Sequence, residues 1–186
     1  MSQSARRKSG GASFLARFDV IFTLNQDLLL ERHYQRAIPV GPPRNWSGVS
    51  FPGLEPANSP PSRSVLEQRW RPAKTLQVPK TAQPIFKLHG SSNWVDADGK
   101  ELLIIGGDKI HAISSHEILK HYQKIFVEHI AGDTRLLAIG YSFSDGHIDK
   151  LLLDATQTGL RIFIVDPLGS DVVNKTATAP VWASAS

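Results

Sequence analysis

Short apolar runs in this chain stop, one after another, at knots of polar or glycine residues. That recurrence constrains the fold more than any other feature. The first run is Asp19–Leu24, rich in β-branched and aromatic residues, which reads as a buried strand. It gives way to Thr23, Asn25, Gln26 and Asp27, and a helix is expected from Gln26 to Arg36. Pro84–Leu88 is a second strand, leading straight into His89-Gly90-Ser91-Ser92, with Trp94 and a turn at Asp96 to Gly99 beyond it. Leu102–Ile105 is a third apolar run, stopping at Gly106-Gly107. Arg135–Ile139 is a fourth, ending in Gly140-Tyr141-Ser142, and Leu160–Val165 is a fifth, ending at Asp166-Pro167.

Between the later strands lie helices. Ser114–Ala131 has capping-box spacing at Ser114 and Glu117, with Ile118, Leu119, Tyr122, Ile125, Phe126 and Ile130 at helical intervals. Gly132 stands where a C-terminal cap belongs. A second helix, capped by Ser144 or Asp145, runs to about Thr158 and stops at Gly159. Strands alternating with helices predict an α/β fold, a doubly wound and mostly parallel sheet of Rossmann type. In such sheets ligands sit beyond the carboxyl ends of the strands. The strand ends that matter are therefore Thr23/Asn25/Asp27, His89/Gly90, Gly140/Ser142 and Asp166. Each also has a plain reading. Asn25 or Asp27 caps a helix, and a lone histidine before glycine at a strand end is more often structural.

Ten of the twelve prolines fall between Pro39 and Pro84. Proline fixes φ and donates no backbone hydrogen bond, so an irregular lobe or lid is expected over about 39–84, anchored by Trp46 and Trp70, with a helical turn at Ser64–Trp70. The formal charge of +4 is concentrated. Residues 1–18 carry Arg6, Arg7, Lys8 and Arg17 without an acid, and the rest balances at 17 bases against 17 acids. Residues 1–18 read as a disordered basic tail and 169–186 as a flexible one, leaving 19–168 as the domain. Charge placed this way is a solvated tail and a loop region rather than a nucleic-acid surface, so no nucleic-acid partner is expected. No apolar run approaches the roughly 20 residues of a membrane span. No signal peptide is evident, and a cytoplasmic location is expected. With no cysteine there is no disulfide and no thiolate metal site. Asp145, His147 and Asp149 have the look of a metal cluster, but helix capping explains Asp145 more simply, and no metal is expected. Gly10-Gly11 has no strand before it, so it is not read as a phosphate loop.

Taken together the motifs resemble the sirtuins. Thr23-Leu24-Asn25-Gln26-Asp27 is similar to their T-Q-N-x-D motif, His89-Gly90 to the H-G that supplies the catalytic histidine, and Gly140-Tyr141-Ser142-Phe143 to the G-T-S motif. From Gly106 to Pro167 the chain more particularly resembles bacterial SIR2-like proteins of the antiphage-defence type, through GYSFSDGHID and IFIVDP. The resemblance implies NAD as substrate, cleaved at the bond between ribose and nicotinamide. It assigns Asn25 to a ribose hydroxyl or the attacking water and His89 to general-base work, which suits the near-neutral titration of imidazole. It assigns Thr23, Asp27, Gly90, Gly140, Ser142 and Asp166 to holding the dinucleotide. Implied partners are further copies of the chain or other domains of a defence system, with no membrane. Deacetylase sirtuins carry four zinc-binding cysteines, so their absence favours NAD cleavage over protein deacylation and implies no zinc. The Gly-Ala-Gly-x-Ser loop that cradles the pyrophosphate in sirtuins has no counterpart ahead of Asp19. On that ground the chain is expected to be a truncated form that binds NAD poorly and turns it over little. The competing expectation is a non-enzymatic nucleotide-binding or interaction remnant of the same fold.

Overall fold

A computed structural model describes residues 14–35, 44–62, 64, 66–106, 109–169 and 171–174. Most of the expected N-terminal tail, Pro39 to Pro43, Gly107 and the last twelve residues lie outside the described residues. The chain forms two compact units, Met1–Tyr122 and Gln123–Ser186.

The first unit is built on a parallel three-stranded sheet in the order β1-β5-β2. Its strands are β1 (Ile21–Thr23), β5 (Gln83–Lys87) and β2 (Val49–Ser50). β1 pairs with β5 from Ile21 opposite Ile85 to Thr23 opposite Lys87. β5 is buried along its whole length, as a continuous apolar run in a parallel sheet should be. A second, mixed sheet has the order β3-β4-β6-β7 and comprises Leu54–Pro56, Trp70–Pro72, Gly90–Val95 and Glu101–Leu103.

Two expectations change here. The proline-rich region is not structureless, because its described residues supply β2, β3 and β4. Proline is tolerated since these strands are only two or three residues long and place Pro56 and Pro72 at strand ends. The anchors are the two tryptophans: Trp46 Nε1 donates to the Ala16 carbonyl at 3.0 Å, and the Trp70 ring packs 5.8 Å from Phe51. The run Leu102–Ile105 is not a further parallel strand either. Its observed strand, β7, pairs antiparallel with β6, a strand that sequence patterning missed. The turn at Asp96–Gly99 is too short for a crossover, so only a hairpin can form. Asp96 shapes it, accepting the amides of Asp98 and Lys100 on Oδ1 at 2.9 Å each.

The expected helix Gln26–Arg36 is observed as a short helical start at Leu29 and Leu30 followed by a π-helical segment, Glu31–Gln35, and Arg36 lies outside the described residues. A separate short helix that sequence patterning missed, α1 (Lys109–Ser114), precedes the expected helix Ser114–Ala131, which is observed as α2 (Glu117–Ile130). Ser114 therefore ends a helix instead of capping one, and its hydroxyl donates to the His111 carbonyl at 2.7 Å. The aromatic core of the first unit gathers on α2, where Tyr122 meets Phe86 edge-on at 4.8 Å and Trp94 at 5.8 Å. Residues 14–18, inside the segment expected as a tail with a fragment of helix over Ser13–Phe18, hold a helical turn with Ala16 buried. The buried Gln83 amide donates to the carbonyls of Leu15 at 2.9 Å and Phe18 at 2.8 Å.

In the second unit β8 (Arg135–Ile139) and β9 (Arg161–Val165) pair in parallel over five residues, joined through α3 (Gly146–Thr156). This strand–helix–strand unit matches the sequence expectation closely. Gly132, with φ of +66°, ends α2, and α4 (Asp171–Asn174) is a single turn. Phe126, Ile130, Phe143, Ile148, Leu152 and Leu160 are among its buried apolar residues. Among the described residues no helix is long and apolar enough to cross a membrane.

Candidate functional site

The parallel pairing of β1 with β5 decides which candidates meet. Thr23 is opposite Lys87, and the Leu88 amide donates to the Thr23 carbonyl at 3.0 Å. The two chains leave the sheet side by side, one into Asn25–Asp27 and the other into His89–Gly90.

Backbone geometry accounts for several of these residues. The Asn25 amide donates to Thr23 Oγ1 at 3.0 Å, and the Leu29 amide donates to Asp27 Oδ1 at 2.9 Å, so Asp27 caps the helical start. The Asn25 side chain is exposed at the tip of this loop. His89 is 4% exposed, and the chain passes there from the first sheet to the second. Its carbonyl accepts the Ile104 amide at 2.9 Å. Gly90 has φ of +77°, and a Cβ built on it would stand 2.2 Å from the Leu102 carbonyl oxygen. Only glycine allows β7 to approach so closely, which explains Gly90 without a ligand.

Four residues that sequence reasoning passed over hold the two segments together. Gln26 Nε2 donates to the carbonyls of His89, at 3.3 Å, and of Ile104. Lys87, 1% exposed, donates through Nζ to Glu31 Oε1 and Ser91 Oγ, each at 2.8 Å, and to the Asp27 carbonyl. Ser91 Oγ in turn donates to the Gln26 carbonyl at 3.3 Å, which also accepts the Ser92 amide at 2.9 Å. One signal for this was present: a lysine inside an apolar run on a central parallel strand must be buried, and a buried lysine needs a partner.

The second unit assembles the remaining candidates at the matching end of its own strand pair. Ile139 is opposite Val165, and the Gly140 amide donates to the Val165 carbonyl at 3.0 Å, so Gly140 and Asp166 follow adjacent strand ends. Asp166 Oδ1 accepts the Leu168 amide at 2.8 Å. Ser142 is exposed, and its hydroxyl lies 2.6 Å from that of Ser144. Phe143, with φ of +49°, is a buried non-glycine residue in the left-handed region. Such backbone strain clusters at ligand sites. Asp145 occupies the N-cap position of α3 without a side-chain capping bond. Tyr141 donates its hydroxyl to Asp149 Oδ1 at 2.5 Å. Burial, and then the Asp149 carboxylate, push the Tyr141 phenol well above its ordinary range. His147 meets the Gln123 side chain through Nε2. Asp149 and His147 are thus engaged with different neighbours, and among the described residues no group of three potential ligands is set to hold a metal.

Parallel strand pairs whose carboxyl ends carry exposed amide, hydroxyl and carboxylate groups define an α/β nucleotide-type fold of Rossmann character. The comparison with protein families narrows this class. Residues 19–179 match the model of the SIR2-like domain, and the chain belongs to that family, whose members generally use NAD. The match begins at the residue where sequence patterning starts the domain and runs past its expected end at 168. No curated protein matches the chain.

Proposed function

We propose that this domain belongs to the NAD-cleaving branch of the SIR2-like family and hydrolyses NAD to nicotinamide and ADP-ribose, in the cytoplasm of a bacterium and in antiphage defence. The observation that carries this reading is the β1–β5 pairing, which sets Asn25 and His89 on adjacent segments leaving one edge of a parallel sheet. Water attacks ribose C1′, the C1′–nicotinamide bond breaks with its electron pair going to nicotinamide, and the proton of the water passes to His89. Asn25 orients the water or a ribose hydroxyl. Thr23, Asp27 and Gly90 shape the ribose side, and the family resemblance assigns Gly140, Ser142 and Asp166 to the adenosine side. The absence of cysteine from the chain speaks against a Cys₄ zinc lobe and hence against protein deacylation.

Nicotinamide release from NAD by the purified chain tests the proposal. Nicotinamide and ADP-ribose should appear in equal amounts, and Asn25→Ala and His89→Ala should each slow release by about 10²–10⁴-fold without unfolding the chain. Wild-type turnover in His89→Ala would make that histidine structural. A second reading, nucleotide binding without turnover, draws on the backbone roles that Thr23, Asp27 and Asp166 already perform. It is preferred if calorimetry shows NAD bound and no nicotinamide is released.

A further inference from the structure

We infer that Lys87 is a positioning residue, a buried three-way tie that fixes the Asn25 loop against the His89 turn. Its consequence for catalysis rests on the NAD-cleaving reading above. Lysine almost never lies fully buried unless paired, and Lys87 and Glu31 are each 1% exposed. The three protons of the ammonium go to three separate places: the carbonyl of Asp27 in the loop, the carboxylate of Glu31 in the π-helical segment, and the hydroxyl of Ser91 just beyond Gly90. Ser91 passes the constraint on to the Gln26 carbonyl. The Gln26 side chain then returns it to the carbonyls of His89 and Ile104. Apart from Ile104, just past β7, every member of this network lies in the stretch Gln26–Glu31 or the stretch Lys87–Ser91, and none of these bonds joins two residues of the hydrophobic core. A buried ion pair is a poor source of net stability, because desolvation offsets its attraction and an apolar pair of similar volume serves as well. Geometry is what an apolar pair would not reproduce. A methionine cannot hold the Asp27 carbonyl, and the loop carrying Asn25 would then be free to shift against His89. A displacement of about 1 Å in a reacting constellation costs on the order of 10²-fold in rate.

The test compares wild type with Ser91→Ala, Lys87→Met and the double variant Lys87→Met/Glu31→Leu, which removes both buried charges. Thermal unfolding, amide hydrogen exchange, and kcat and KM for NAD are measured on each. The double variant should unfold near the wild-type temperature. Its amides of Leu29 and Ser92, which close the loop and the turn, should exchange at least tenfold faster, with Ile85 and Phe86 in β5 unchanged. Its kcat should fall about 10²-fold with KM moving far less, and Ser91→Ala should show a smaller change of the same kind. Recovery of stability together with wild-type kcat in the double variant would overturn the inference, as would exchange that is unchanged or uniformly faster. If wild type releases no nicotinamide, the NAD-cleaving reading fails, and the exchange pattern alone decides whether Lys87 ties the two segments. Should Lys87→Met fail to fold, the double variant and Ser91→Ala carry the decision.

Discussion

Gly90 and Lys87 show how much a single position can carry in this chain. Gly90 combines a left-handed φ of +77° with a neighbouring carbonyl 2.2 Å from where a Cβ would stand. Gly90→Ala therefore incurs a backbone penalty of about 1–2 kcal/mol and an overpacking penalty of about 1–3 kcal/mol. Gly99→Ala shares the positive φ but meets nothing within 4 Å, so it incurs the first penalty alone. Denaturant titration of both variants checks this, with Gly90→Ala expected to have clearly the lower midpoint. At Lys87 the expected loss is of comparable size but has a different origin. Lys87→Met leaves Glu31 buried without its cation and should cost about 3–5 kcal/mol, most of it regained when Glu31→Leu is added. The two variants measured in one urea series give the coupling directly.

Among elements, α1 and α2 carry the clearest correction to sequence reasoning. Ser114-Ser115-His116-Glu117 has the spacing of a capping box, yet Ser114 closes α1 and its hydroxyl bonds back to His111. Ser114→Ala should accordingly change stability by no more than about 0.5 kcal/mol, as for an exposed residue outside any cap. A capping role would cost about 1 kcal/mol. Thermal unfolding separates the two. β9 makes a related point. Its run IFIV is apolar throughout, yet Phe163 and Val165 are each 54% exposed. Burial alternates along β9 with a period of two, as in a strand covered on one face only.

For the molecule as a whole, the tyrosines offer a simple probe. The chain has three, and burial raises the phenol pKa of each. Tyr34, donating its hydroxyl to Gln83, is pushed from 10.0 up to about 12, and Tyr122 and Tyr141 go higher. A raised folded pKa means that the unfolded chain loses its protons first. The stabilisation is complete below pH 10 and is lost as the pH climbs from there through about 12. Phenolate absorbance should therefore stay low in the native protein and rise in one cooperative step together with loss of helical circular dichroism. A gradual, non-cooperative titration centred on pH 10 would show the tyrosines to be accessible.

Local patterning by itself determined the α/β class, the strand pair Arg135–Ile139 and Leu160–Val165 with its helix, and the polar knots at strand ends, because apolar periodicity and glycine stops are properties of neighbouring residues. It also brought out Thr23, Asn25, Asp27, His89, Gly90, Gly140, Ser142 and Asp166 as candidates. What it left undecided depends on contacts distant in sequence. The parallel register of β1 on β5 joins residues more than sixty positions apart, and the Lys87 network reaches back to Asp27 and Glu31 over 60 and 56 positions. The proline-rich strands exist only because β5 and β6 offer them edges to pair with. Whether a polar residue is a cap, a tie or an exposed side chain facing solvent follows from what folds against it, and only the tertiary structure decided that.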